Sequence, residues 1–217
     1  MEDSRSDLNR RFISFEGIDY SGKSTQISLL RRNLQTAGID TVLVREPGGT
    51  EISEAIRRIL LDPANRLLHQ KTEILLYEAA RAQLVHEKLL PLLQSGAYVI
   101  ADRFFDSTTA YQGYGRNLDL TAVKQMNRFA TSGLSPCKTF FIDITPQEAA
   151  RRQQAGRLDM DRLESGGTAF FNKIREGFLK LCREEPERFI RVNGERPLEE
   201  ITREIWQTVE QLWKPGG

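Results

Sequence analysis

The residue pattern that most clearly predicts chemistry fills the template G-x-x-x-x-G-K-[ST] directly after the apolar run 12–15. Its residues are Gly17, Ile18, Asp19, Tyr20, Ser21, Gly22, Lys23 and Ser24, followed by Thr25. Glycines let the backbone curl so that successive N–H groups point inward, and the following helix adds its positive N-terminal end. Lys23 is expected to reach the outer phosphates and Ser24 to bind Mg²⁺. A turn that binds nothing rarely ends in Gly-Lys-Ser, so the segment predicts a phosphate-binding loop.

A carboxylate and a guanidinium follow a third predicted strand. Asp102 and Arg103 come directly after the apolar run 98–101. An acid in this position is typical of a Walker B-type element, in which it holds Mg²⁺ directly or through water. Arg103 is suited to a bidentate grip on phosphate. A structural ion pair is the alternative interpretation, and the nearby phosphate loop favours the functional one.

Three further stretches have the composition of a pocket for a nucleobase. Pro47 lies in the turn Arg45-Glu46-Pro47-Gly48-Gly49-Thr50, which can approach a ligand closely or serve as an ordinary connection. Tyr77 and Arg81 are four residues apart and so share one helix face, as a stacking ring and a donor or as a surface cation–π pair. Residues 108–116 mix hydroxyls, an amide and aromatic rings, which suits stacking on a base and hydrogen bonding to it.

An arginine-rich stretch, residues 151–164, lies between two predicted helices. Such a loop can close over phosphates and insert a cation where charge develops in a transition state. A solvated run of charges is the alternative interpretation.

The elements that must position these residues alternate between strands and helices. Strands are predicted at residues 11–16, 41–45, 98–102, 139–143 and 189–192. Helices are predicted at residues 23–37, 72–93, 118–131, 146–154, 169–183 and 198–213, with a further one marked by Ile52, Ile56, Ile59 and Leu60 and ended by Asp62-Pro63. This rhythm predicts an α/β fold with a parallel sheet, whose ligands collect at the carboxyl ends of the strands.

Length and composition indicate one domain. The 217 residues are 39% hydrophobic and contain no proline- or glycine-rich linker, so we expect a single domain over residues 11–217 after a flexible extension, residues 1–10. The formal charge of +1 gives no global field that would attract nucleic acid or an anionic membrane. Cys137 and Cys182 fit reduced thiols in the cytoplasm. The first ten residues are polar, so the sequence predicts neither a signal peptide nor a membrane span there.

Taken together, the motifs resemble bacterial thymidylate kinases whose catalytic arginine comes from the lid. They are Gly17-x-Asp19-x-x-Gly22-Lys23-Ser24-Thr25, Arg45-Glu46-Pro47-Gly48-Gly49-Thr50, Tyr77-x-x-Ala80-Arg81-x-Gln83, Asp102-Arg103, Ser107-Thr108-x-Ala110-Tyr111-Gln112-Gly113 and Asp161-Arg162-Leu163-Glu164. The resemblance covers residues 12–213. It implies a P-loop kinase fold with a five-stranded parallel sheet, a homodimer, and transfer of the γ-phosphoryl group of ATP to dTMP with Mg²⁺. The product would be dTDP, a step in dTTP biosynthesis.

The resemblance also implies roles for residues that match the family's motifs. Tyr77 matches the aromatic, usually Phe, that stacks on thymine, and Arg81 matches the donor to its exocyclic oxygen. Pro47 belongs to the dTMP site as well. Thr108 and Gln112 would help to read the base edge.

Other matched residues lie nearer to the sugar and the phosphates. Tyr111 matches the tyrosine that packs against the sugar C2′, and Asp19 matches the carboxylate that contacts the 3′-OH. Arg103 matches the arginine that bridges the acceptor phosphate and the transferred group. Where some relatives carry an arginine in the phosphate loop, this chain has Tyr20, so the lid residue Arg157 is expected to supply the catalytic cation. Phe replaces Tyr or His at position 104.

Charge neutralisation is the chemistry that this set predicts. Lys23, Arg103, Arg157 and Mg²⁺ would neutralise two anionic phosphates held in line, and the acceptor oxyanion needs no strong general base.

Two other functions stay open at this point. A different P-loop kinase, acting on a deoxynucleoside or on dCMP or dUMP, would differ only in its acceptor pocket. A nucleotide-dependent switch would need the guanine-reading Asn-Lys-x-Asp, but Asn172-Lys173 is followed by Ile174-Arg175.

Overall fold

A five-stranded parallel sheet forms the centre of the molecule. The computed structural model describes residues 8–156 and 167–213. The strands are β1 (Phe12–Glu16), β2 (Thr41–Arg45), β3 (Tyr98–Asp102), β4 (Lys138–Asp143) and β5 (Phe189–Asn193). They pair in the order β2-β3-β1-β4-β5, and every pair is parallel. The predicted parallel sheet is confirmed, and each strand matches its predicted range to within one residue.

Helices connect the strands. They are α1 (Lys23–Thr36), α2 (Glu51–Leu61), α3 (Gln70–Leu84), α4 (Leu90–Gln94), α5 (Phe105–Thr108), α6 (Leu120–Ala130), α7 (Pro146–Gly156), α8 (Gly167–Glu184) and α9 (Leu198–Trp213). The π-helical stretch Val85–Leu89 joins α3 to α4, so the long helix predicted over residues 72–93 is confirmed as one continuous segment. A second π-helical stretch, Thr109–Gly115, prolongs α5. This helical segment after β3 was not predicted.

Apolar side chains cover both faces of the sheet. Because successive side chains of a strand point to opposite faces, Ile13 packs in a cluster with Ile27 of α1 and Ile205 of α9, whereas Phe12 packs with Leu89 on the other face. The sheet is therefore a rigid platform, and the loops at the carboxyl ends of its strands are held in fixed relative positions.

The N-terminal extension is described only in part. Residues 8–10 are helical, Leu8 packs against the cluster around Phe12, and Asn9 accepts a hydrogen bond from the backbone N–H of Ser135. The expectation of a flexible segment at residues 1–7 lies outside the described residues. Within the described ranges, no helix is both long enough and apolar enough to cross a membrane.

Candidate active site

The predicted motifs meet around one cavity of about 780 Å³ at the carboxyl ends of the strands. The predicted site residues that line it are Asp19, Tyr20, Ser21, Gly22, Lys23, Ser24, Thr25, Pro47, Tyr77, Arg81, Asp102, Arg103, Thr108, Tyr111 and Gln112. Gly17 and Ile18 lie behind this lining, where their carbonyls accept hydrogen bonds. Arg157, with the acidic end of the predicted lid, lies outside the described residues. Its role stays a prediction.

The phosphate loop encloses its own lysine. Lys23 Nζ donates to the carbonyls of Gly17 and Ile18, both at 3.0 Å, and Gly22 begins α1 in the left-handed conformation. A side chain at Gly17 would place its Cβ 2.6 Å from the carbonyl oxygen of Ile142, so the close approach of loop and β4 requires glycine. Burial, with the charge of Arg103, lowers the pKa of Lys23 to about 8. The ammonium therefore lies in a place where an added phosphate would stabilise its charge.

Two oxygen donors lie together beside the loop. The hydroxyl of Ser24 and Oδ2 of Asp102 are 3.4 Å apart, and both residues line the cavity. Hydroxyl and carboxylate oxygens are hard donors of the kind that Mg²⁺ prefers, with water and phosphate oxygens filling its other positions. The described residues contain no cluster of three or more His, Cys, Asp or Glu side chains that would hold a metal by themselves. The donor set therefore fits Mg²⁺ that arrives with a phosphate ligand.

Arg103 connects the phosphate loop to the segment after β3. Its Nη1 donates to the carbonyl of Gly17 at 2.8 Å, and its Nη2 donates to Asp19 Oδ1 at 2.6 Å and to Tyr111 Oη at 3.3 Å. Burial alone would raise the pKa of Asp19, but the positive charges of Arg103 and Lys23 hold that pKa below its usual value. Arg103 and Lys23 thus place two cations at the junction of loop and cavity.

Arg81 is buried and fully engaged. It is 1% exposed, and its partners are Glu46, Glu78, Asn127, Thr108 and the carbonyl of Phe104. The longest of these hydrogen bonds, to Phe104 at 3.4 Å, is the weakest by its geometry. A hydrogen bond from Arg81 to a base would have to replace one of these contacts. That role stays a prediction.

Two buried carboxylates share the single charge of Arg81. Oε1 of Glu46 and Oε2 of Glu78 have no hydrogen-bond partner among the described residues. Burial raises the pKa of Glu46 to about 7, although Arg81 opposes the change, and burial also raises the pKa of Glu78. One guanidinium compensates one carboxylate, so the second carries an unfavourable charge at high pH.

Replacing Glu46 by glutamine is therefore expected to reduce the dependence of stability on pH. The folded state keeps a proton that the unfolded chain releases near pH 4.5, so the free energy of unfolding falls as pH rises from 4.5 to about 7. A shift of this size corresponds to a loss on the order of 3 kcal/mol, which the variant should lack. Urea unfolding of the variant and the wild type between pH 4.5 and 8 measures this change in the free energy of unfolding.

Glu54 provides the control for this experiment. Its backbone hydrogen bond from Gly49 lowers the pKa of Glu54, so Glu54→Gln should leave the fall in stability above pH 4.5 unchanged. An equal pH slope in Glu46→Gln and the wild type would contradict the assignment of the buried proton to Glu46.

The cavity lining also includes an aromatic ring, Tyr77, and a side-chain amide, Gln112. Tyr77 is buried in a small cluster with Leu60, and Gln112 Nε2 donates to Glu73 Oε1 at 2.9 Å. Arg116 binds the same carboxylate, which is itself buried. The amide of Gln112 is thereby held in one orientation on the cavity wall.

Sequence reasoning missed three arginines that line this cavity, namely Arg57, Arg152 and Arg196. Arg57 of α2 donates to the carbonyl of Pro47 at 2.9 Å. Arg152 of α7 donates to the carbonyls of Tyr20 and Ser21, at 3.3 and 3.2 Å, and so lies directly against the phosphate loop. Arg57 lies beside the apolar stripe of a predicted helix, and residue spacing there does not indicate that its side chain lines a cavity. Arg152 belongs to the arginine-rich stretch, within which only Arg157 was singled out.

Comparisons with known proteins agree on one family. The family model described as thymidylate kinase matches residues 15–205. A thymidylate kinase of Caldanaerobacter subterraneus subsp. tengcongensis is 48% identical over 207 residues, which are 95% of this chain and 98% of that protein. One of Exiguobacterium sp. is 42% identical over 96% of this chain and 99% of its own length. The crystal structure of thymidylate kinase from Ehrlichia chaffeensis matches with a TM-score of 0.73 and 31% identity, and it covers 92% of this chain and 97% of that chain.

Proposed function

The chain belongs to the thymidylate kinase family, with the P-loop kinase fold, and we propose that it transfers the γ-phosphoryl group of ATP to dTMP, giving dTDP. The observation that carries this proposal is that the phosphate loop, Arg103, Tyr77 and Gln112 all line one shared cavity. Such a cavity suits a donor and an acceptor held end to end.

Phosphoryl transfer depends mainly on positioning and on neutralising charge. We assign Lys23 to the outer phosphates of the donor, because its ammonium already lies inside the loop that would surround them. Arg103 is assigned to the acceptor phosphate and the transferred group. The attacking oxygen of dTMP is an anionic phosphate oxygen, so no buried base has to remove a proton.

Ser24 and Asp102 are the residues that would hold Mg²⁺, directly or through water. When bound, the ion would neutralise charge on the donor phosphates. Asp102 lies near enough to Lys23 for its charge to act on the ammonium, so the donor phosphates and the ion would lie close together.

For the acceptor we propose stacking of thymine on Tyr77, with Thr108, Gln112 and Arg81 along the base edge. Gln112 is already oriented by Glu73, and a fixed amide discriminates between bases better than a mobile one. Pro47 lines the same cavity as Tyr77, and we include it in the acceptor site.

We assign the sugar to Tyr111 and Asp19, which both line the cavity. Tyr111 and Asp19 hydrogen-bond to each other at 3.3 Å, which fits contacts to the C2′ side and to the 3′-OH. Arg57, which is joined to Pro47, adds a cation for the acceptor phosphate.

The function is tested by measuring ADP release with dTMP, dUMP, dCMP and thymidine as acceptors. We expect the highest kcat/KM with dTMP and turnover without any protein partner. A preference for thymidine or dCMP would instead indicate another P-loop kinase. If no acceptor supported turnover, a nucleotide-dependent switch would become the better interpretation.

We further propose a homodimer built on α2, α3 and α6. Large apolar side chains on these helices are exposed, among them Ile52, Ile59, Leu75 and Phe129, the last with 86% of its surface accessible. An apolar set of this kind on neighbouring helices is typical of an interface between subunits.

The half-buried free thiols Cys137 and Cys182 fit a reducing compartment, and we place the protein in the cytoplasm.

Phe129→Glu is therefore expected to shift the protein toward the monomer. A carboxylate buried between two subunits is costly, so light scattering should give the 24.8 kDa of one chain rather than twice that mass. Leu43→Glu, on the exposed side of the edge strand β2, is the matched control and should remain dimeric. A wild-type protein that is already monomeric would disprove the dimer.

A further inference from the structure

A fully buried carboxylate that the proposed reaction does not use lies at the end of β1. Glu16 is 0% exposed. Its Oε1 accepts hydrogen bonds from the backbone N–H groups of Phe104 at 2.7 Å and Ser107 at 3.3 Å, and its Oε2 accepts one from the Ser107 hydroxyl at 2.6 Å. These donors belong to the N-cap residue and the first turn of the helical segment 105–115, which we name the acceptor helix.

The acceptor helix carries three of the residues assigned to dTMP, namely Thr108, Tyr111 and Gln112. The first N–H groups of a helix lack partners within the helix, and a negative charge there is favoured by the helix dipole. In this protein the capping carboxylate comes from another element. Glu16 therefore fixes the start of the acceptor helix to the end of β1, one residue before the phosphate loop begins at Gly17.

The hydroxyl of Ser107 connects Glu16 to the guanidinium of Arg103. Its Oγ donates to Glu16 and accepts a hydrogen bond from Arg103 Nη1 at 3.1 Å. The same Nη1 donates to the carbonyl of Gly17. Arg103 has the left-handed φ of 68°, which is uncommon for a residue other than glycine, so its neighbours must hold it in place.

We propose that Glu16, acting through Ser107, is a positioning residue that sets the orientation of the Arg103 guanidinium toward the acceptor phosphate. This inference rests on the proposed function, because it assigns Arg103 to that phosphate. Glu16 itself touches neither nucleotide in this arrangement. Its effect on Arg103 is carried by one hydroxyl, that of Ser107.

The charges around Glu16 fit this role. The charges that act on Glu16 include those of Asp106, Arg103 and Lys23. Asp106, in the acceptor helix, is itself bound by Arg188 at 2.6 and 2.8 Å. Burial, followed by the charge of Asp106, raises the pKa of Glu16 to about 7. An ionised carboxylate in this place is costly, and its three hydrogen bonds to one helical turn offset that cost.

The direct test is Ser107→Ala, which removes the connecting hydroxyl and keeps the backbone N–H. We expect kcat/KM for dTMP to fall about tenfold while KM for ATP is unchanged, since a displaced catalytic cation affects the acceptor step. Glu16→Gln should lower kcat/KM for dTMP in the same direction. Ser95→Ala, which removes a hydroxyl bound only to the carbonyl of Leu92 among the described residues, should match the wild type.

A double-mutant cycle separates positioning from general stability. In an Arg103→Met background, Ser107→Ala should cause little additional loss of kcat/KM, because the residue that it orients is absent. Additive losses, or a wild-type kcat/KM in Ser107→Ala, would overturn the inference. A wild type without dTMP kinase activity would instead overturn the proposed function, so the two failures are distinguishable.

Discussion

Lys23→Ala is expected to lower kcat about a thousandfold while the Kd for dTMP changes by less than about threefold. The ammonium of Lys23 is held at 3.0 Å from two loop carbonyls and lies where the donor phosphates are proposed to bind. Its charge is most useful when negative charge moves onto the transferred group, so its loss raises the barrier more than it weakens ground-state binding. The hydrogen bonds of Lys23 go to residues of its own loop, so the acceptor pocket around Tyr77 should be little affected.

Single-turnover kinetics and calorimetric titration with dTMP measure the two quantities separately. Lys180→Ala is the control, because it removes a lysine that lies over Tyr114, outside the cavity lining, with the same change in net charge. Thermal unfolding of both variants checks that the loop remains folded. A kcat within tenfold of the wild type would rule out a catalytic role for Lys23, and an unchanged kcat with weaker dTMP binding would move it to the acceptor site.

Local patterns predicted the strands well for a physical reason. Each strand is a short β-branched or aromatic run that is buried in the sheet, and such runs leave little choice of structure. The order of the strands could not be derived in the same way, because right-handed crossovers permit several orders. That order brings β1 between β3 and β4, and so places Arg103 beside the phosphate loop.

The acceptor helix shows where local reasoning failed. Gly113 and Gly115 argue against a helix by propensity. Both are required by packing, because a Cβ at Gly113 would lie 2.7 Å from Leu120 and one at Gly115 would lie 2.7 Å from Phe170. Contacts with α8 and with the start of α6 thus override the propensity of the segment.

Most of the residues proposed for the site from the sequence do line one cavity, but the hydrogen bonds that hold them were not predicted. Spacing alone brought Tyr77 and Arg81 to one helix face, and both line the cavity. Glu46, which binds Arg81 from 35 positions away, left no trace in any local pattern. Contacts between residues so far apart in the sequence depend on the order of the strands. Such contacts decide whether a guanidinium is available to a ligand.

Arg103→Met should lower kcat/KM for dTMP about a thousandfold and leave KM for ATP nearly unchanged, because the guanidinium is proposed to bridge the acceptor phosphate and the transferred group. Methionine keeps much of the length of the side chain and removes its charge and donors. Asp19 would then lose its 2.6 Å partner, so its pKa should rise toward the usual value.

Arg103→Lys distinguishes charge from geometry. Lysine keeps the charge but cannot donate along the two directions that now join Gly17 and Asp19, so we expect a loss of about tenfold, between wild type and Arg103→Met. Steady-state kinetics with each substrate varied in turn gives both KM values. Equal losses in the two variants would mean that the forked geometry is the essential property. A higher KM for ATP alone would place Arg103 on the donor side, and that result would contradict its assignment to the acceptor phosphate.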